Sequence, residues 1–300
     1  MNFDTTYIAI RKRNLLEIID LGLHVIRDHF SQLVVLWLVG AVPFFVLNHL
    51  LIGWMSNGFY YTDYLPAYIW VMILLVSIQS QLATSFISMY LGQAIFEGQP
   101  KVWGTIKSVF RSCGYFTMIQ LLSRMVLPVV VLTVLFCSSS SIDDVTLGWG
   151  VFWITVVAGT GLIIRAIRPF PAEILMLEKT PIKKKEGQIH YRKRSDGLHG
   201  NASAELFGRF FLITLLSVPL AFMFYAVLLT TDNLLNLHFG DDQTMVRYYW
   251  PLALWGVSGI FGVVRFLSYV DIRIRQEGWA VELRVRAEAL RMQKNLEQTF

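Results

Sequence analysis

Six apolar runs, at about 33–54, 67–94, 115–137, 148–164, 209–230 and 249–270, alternate with polar connections along this chain. At roughly 1.5 Å per helical residue, runs of about 20 residues match a hydrocarbon core of about 30 Å. The pattern predicts an all-α fold, a polytopic transmembrane bundle of six spans, because a segment in lipid must satisfy its own backbone hydrogen bonds. Ahead of the first span, residues 1–32 carry Arg11, Lys12, Arg13 and Arg27, with Leu15, Ile18, Ile19, Leu23 and Ile26 at helical spacing. That spacing predicts an amphipathic helix at the membrane surface. Residues 165–208 read as a long cytoplasmic loop, exposed and polar from Lys179 onward. Residues 271–300 read as a charged amphipathic helix.

The pattern also repeats. Each odd span carries a proline, Pro43, Pro128 or Pro219, and each even span leaves the membrane through an aromatic residue followed by a Glu. These exits are Tyr90 to Glu97, Phe170 to Glu178 and Tyr269 to Glu277. Three helical hairpins, each with an amphipathic approach helix, account for the recurrence. Kinked helices need neighbours for their freed carbonyls, so the three proline-bearing spans are expected to pack together. Three parallel hairpins do not make the inverted pair typical of alternating-access transporters.

Composition agrees with a membrane protein. The 300 residues are 55% hydrophobic and 16% charged, with a mean hydropathy of +0.52, outside the range of soluble domains. Charge then sets the orientation. With the N-terminus inside, Arg247 is the one basic residue in an outer loop, so both termini are expected in the cytoplasm, the protein being multi-pass in the cell (inner) membrane. Trp54, Tyr60, Tyr61, Trp149, Tyr248, Tyr249 and Trp250 would form an outer aromatic belt. Orientation accounts for the net charge of +5, so no nucleic-acid partner is implied.

Candidate chemistry is sparse. Arg124 lies about nine residues, or roughly 13 Å, into the third span. A charge at such depth either snorkels to the headgroups or marks a functional site. Ser77, Gln81 and Thr84, continued by Ser88 and Gln93, share a face of span 2. That face suits helix packing or, more sharply, a solute path with Arg124. Gly256, Gly259 and Gly262 in span 6 suit close packing. Asp271 with Arg275, Arg273 with Glu277, and Glu282 with Arg286 stand four apart, each pair on one helix face, and form a candidate cytoplasmic interface. Lys183, Lys184, Lys185, Arg192, Lys193 and Arg194 are candidate contacts for anionic lipid. The six histidines lack metal spacing, and no nucleophile elbow or nucleotide loop is present, so no cofactor or catalytic residue is assigned.

At Pro169–Glu178 and Tyr269–Gly278 the chain resembles uncharacterised bacterial six-helix integral membrane proteins. Some of these are grouped with the membrane domain of glycerophosphodiester phosphodiesterase. The resemblance implies a membrane module. The phosphodiesterase's catalytic part is a separate soluble barrel with acidic and histidine metal ligands, which this chain does not supply. The expectation is a non-enzymatic scaffold or accessory subunit binding a protein or lipid on the cytoplasmic face. A transporter component with a path along span 2 and Arg124 is the alternative.

Overall fold

A computed structural model describes residues 14–56, 61–97, 100–137, 143–178, 180, 190–236 and 242–277. Among them the chain is helical, with no strand. Ten helices follow in order: α1 (Leu15–Asp28), α2 (Phe30–Ile52), α3 (Tyr61–Ala83), α4 (Ser85–Glu97), α5 (Val102–Ser123), α6 (Val126–Cys137), α7 (Asp144–Ile167), α8 (Tyr191–His199), α9 (Ser203–Asn236) and α10 (Asp242–Glu277). Among the described residues five segments are long and apolar enough to cross a membrane: Phe30–Ser56, Tyr64–Ile95, Val145–Ile167, Ser203–Leu235 and Met245–Gln276.

The third run departs from the expected continuous span. α5 carries the approach segment into it and stops at Ser123. The Arg124 N–H closes that last turn on the Gln120 carbonyl at 3.2 Å, and Met125 then takes a φ of 59° before α6 begins. Gly161 of α7 makes room for this turn, since a Cβ there would lie 2.7 Å from the Arg124 carbonyl. The 12 residues of α6 reach only about 18 Å. Pro128 falls in its first turn, where a missing N–H leaves no hydrogen bond broken.

The core sits around α3 and α4. Their apolar window is 89% buried, whereas that of α9 is 6% buried. The pair bends at Thr84, whose hydroxyl donates back to the Ser80 carbonyl at 2.7 Å, a bond that bends helices. Two glycines let neighbours close on the bend. A Cβ at Gly40 of α2 would collide with the Ala83 carbonyl, and one at Gly262 of α10 would lie 2.8 Å from the Thr84 Cβ. One turn earlier in α10, Gly259 faces Trp37, whose indole donates to the Trp255 carbonyl at 2.9 Å.

Other elements show which of their faces are buried. α1 docks on α10 through Ile18 and through Gly22, which faces Val264 and Leu267, while Leu23 stays exposed. The segment after α7, ahead of the stretch expected to be exposed from Lys179, is packed inside. Phe170, Ala172, Glu173, Ile174 and Met176 are buried, and a wide turn bonds the Glu178 N–H to the Glu173 carbonyl five residues back. Trp250, expected in the aromatic belt, is buried. Of the proline-bearing helices, α2 touches α6, but α9 packs mainly on α10 and α7.

Candidate functional site

At one end of the bundle, charged side chains from four segments meet in three clusters, with Ser88 of α4 joining one of them. In the deepest, Glu173 is fully buried and accepts from Arg265 Nε at 3.2 Å and from the Ser88 hydroxyl at 2.9 Å. Arg265 Nη2 also reaches Ser88 at 3.1 Å. This joins the turn after α7 to α4 and α10. A second cluster ties α9 to α10: Arg209 Nη2 donates to Glu205 and to Asp271, both at 2.7 Å, and Arg275 holds the same two carboxylates at 2.8 and 3.1 Å. In the third, Glu178 takes a bidentate pair from Arg194 at 2.5 and 2.9 Å and the Tyr269 hydroxyl at 2.6 Å, with Arg273 beside it at 3.5 Å. Phe170 and Tyr269, the aromatics of two repeated exits, pack edge to face with centroids 5.7 Å apart.

Above the first two clusters lies a cavity of about 240 Å³ between α3, α7, α9 and α10. Ile213, Val218, Phe222, Leu254 and Phe261 supply apolar wall, and Arg165, Arg209 and Arg265 line its polar end. From Arg209 to Phe222 the cavity follows α9 for about 20 Å. Val218 and Phe222 line it and are also more than half exposed, which puts its mouth on the outer face of the bundle. Several donors at the polar end are unused. Among the described residues Arg165 bonds through Nη1, to the Ser77 carbonyl and to the Ser80 hydroxyl at 2.7 Å. Arg209 Nη1 and the Ser268 hydroxyl are buried without a partner among the described residues.

The sequence-predicted residues fall as follows. Ser77 meets Arg165 through its carbonyl and lines the cavity. Gln81 donates to the Pro169 carbonyl at 3.1 Å, and Thr84 is spent on the α3–α4 bend. Arg124 sits at the helix break with one guanidinium N–H on the Arg168 carbonyl and Nη1 buried without a partner among the described residues. The charges expected on an outward interface turn inward: Asp271 is buried, and Arg273 and Arg275 are partly buried and paired with Glu178 and Glu205. The Glu277 side chain, Glu282, Arg286, Lys183, Lys184 and Lys185 lie outside the described residues. Arg192 and Lys193 are exposed on α8, whereas Arg194 is folded onto Glu178. Glu173, Arg165, Arg209 and Arg265 were not picked out by sequence as site residues. Position is the signal that marks the three arginines, since each stands in or at the edge of a different apolar run.

Ser195 and His199 resemble a nucleophile and base, with 3.2 Å between Oγ and Nδ1. The Ser195 carbonyl 2.7 Å from the same nitrogen can only accept, so Nδ1 carries the proton and takes none from the hydroxyl. His199 is therefore structural, stacked on Phe170 with centroids 5.5 Å apart. Burial holds its pKa down at about 4, with Arg124 and Arg168 adding to the effect against the Ser195 carbonyl and Asp196. An unfolded histidine titrates near 6.5, so between pH 6.5 and about 4 the unfolded state binds a proton that the folded state refuses. Stability should fall across that window by up to about 3 kcal/mol and stop falling from this source below it. Denaturation midpoints at pH 7, 5.5 and 4.5 should show a steeper decline for the wild type than for His199→Phe, which keeps the stack but cannot titrate.

Compared with protein-family models, curated proteins and solved structures, the chain matches none. The functional reading therefore rests on the site itself. Among the described residues no group of three or more His, Cys, Asp or Glu could hold a metal.

Proposed function

We propose that this is a non-enzymatic, multi-pass membrane protein that binds anionic lipid in the cavity between α3, α7, α9 and α10. The observation that carries the reading is an apolar slot, open along α9, whose polar end holds three arginines with unused donors nearby. Apolar pockets with a few convergent polar groups are the usual form of small-ligand sites. Of the two occupants of a cytoplasmic scaffold, protein or lipid, lipid is favoured because Asp271, Arg273 and Arg275 spend their charge inside the protein. A transport path along span 2 is less favoured, since Gln81, Thr84 and Ser88 are bonded within the bundle. In this reading α5 and α6 together make the third of six crossings, a broken one. The arginine end then faces the cytoplasm of the inner membrane, as the positive-inside rule requires.

Lipid extraction from the protein purified out of its own membrane tests this. An anionic lipid should be enriched over the bulk membrane, and Ser217→Trp, which fills the slot from α9, should lower that enrichment at least fivefold. Lipid recovered in bulk proportions from both proteins would overturn the reading.

A further inference from the structure

Charge bookkeeping at the polar end narrows the occupant. Arg265 is matched by Glu173. Arg209 and Arg275 share Glu205 and Asp271, two cations to two anions. Arg165 has no carboxylate partner among the described residues; its contacts are one carbonyl and one hydroxyl. A cation lining a low-dielectric slot without a counter-ion is costly, and a bound anion removes that cost. Guanidinium N–H forks suit the paired oxygens of a carboxylate or phosphate. None of the described residues lining the cavity is acidic, so a choline or ammonium group would find no counter-charge there.

Size narrows it again. At about 240 Å³ the slot falls below the roughly 300 Å³ at which drug-sized pockets begin, yet it runs for about 20 Å. Such a shape seats one extended chain along α9. Its open side at Val218 and Phe222 allows a chain to slide in from the bilayer.

We infer that the occupant is a single-chained amphiphile with a compact anionic head, carboxylate or phosphomonoester. Its head lies on Arg165, Arg209 and Ser268, and its chain lies along α9 toward Phe222 and Trp250. The inference rests on the lipid-binding reading above and specifies its ligand.

Native mass spectrometry of the full-length protein in a neutral sugar detergent tests it with four probes: oleate, oleoyl lysophosphatidate, oleoyl lysophosphatidylcholine and dioleoyl phosphatidate. One-to-one adducts are expected with oleate or lysophosphatidate, whichever binds tighter identifying the head as carboxylate or phosphate. The other two should bind at least tenfold more weakly. Arg165→Gln should weaken the favoured probe at least tenfold, Arg165→Lys less, and Ser217→Trp should abolish binding while leaving every arginine in place. If Arg165→Gln does not fold, Ser217→Trp and the four-probe ranking still decide. Equal binding of the choline lysolipid, or an unaffected Arg165→Gln, would overturn the charge argument. Equal binding of dioleoyl phosphatidate would overturn the single-chain argument. Each of those results leaves lipid binding itself standing, whereas no adduct with any probe would overturn both.

Discussion

Glu173→Gln is expected to cost the folded protein about 3–5 kcal/mol, the loss that follows when one partner of a buried ion pair is removed. Glu173 is fully buried, Arg265 is 8% exposed at its side chain, and the Ser88 hydroxyl is held by both. Without the carboxylate, Arg265 keeps its charge beside the Arg165 and Arg209 cations, with the Ser88 hydroxyl as its acceptor. Favourable Coulomb energy is not the source of this loss, because desolvation offsets most of what the pair gains on forming. The double substitution Glu173→Leu with Arg265→Met should therefore recover most of the stability, although each change alone is damaging. Asp196→Asn supplies the contrast. Its partner Arg168 is 45% exposed, and a pair of that kind contributes at most about 1 kcal/mol. Equilibrium unfolding in mixed detergent micelles measures all four proteins. Similar losses for Glu173→Gln and Asp196→Asn would show that the deep cluster is no more than a surface ion pair.

Much of this architecture was legible because lipid leaves a chain few options. Of the six runs that apolar length picked out, five are long helices, and the four-residue spacing of Asp271 and Arg275 pointed to their pairing across one helical turn, seen at 3.1 Å. What escaped was direction. Spacing says that Asp271 and Arg275 share a face, but whether the face meets solvent or another helix depends on where α9 begins, and Glu205 and Arg209 decide that. Arg124 is similar. Hydropathy averages over a run and cannot register one residue that leaves the helix, so the break at Arg124 and Met125 looked like a charge inside a continuous span. Glu173 was hidden in a segment that read as loop, since its neighbours Pro169 and Pro171 interrupt the helical pattern before the wide turn restores it. The cavity had no signature of its own. It exists because α9, the least buried long helix, leans on α10 and α7 without closing onto α3.

The glycines of the α3–α4 bend carry the second large effect, and here two opposing terms can be weighed. Replacing a helical glycine by alanine ordinarily gains up to about 1 kcal/mol from backbone entropy. Gly208→Ala on α9 should show that gain, because nothing lies within 4 Å of the added methyl. At Gly92 the added methyl meets the Leu177 side chain, which can rotate away, so gain and strain should nearly cancel. At Gly40 it meets the backbone carbonyl of Ala83, which cannot. There α2 must move off the bend, and overpacking of about 1–3 kcal/mol outweighs the helical gain. Gly40→Leu, which adds a branched side chain at the same contact, should fail to yield folded protein. The order of unfolding midpoints, Gly208→Ala above wild type, Gly92→Ala close to it and Gly40→Ala well below, tests whether α2 closes on α3 at that carbonyl. A neutral Gly40→Ala would mean that these two helices stand farther apart in the membrane, and the buried pair of Asn48 with Gln79, bonded reciprocally at 2.9 Å between them, would have to part as well.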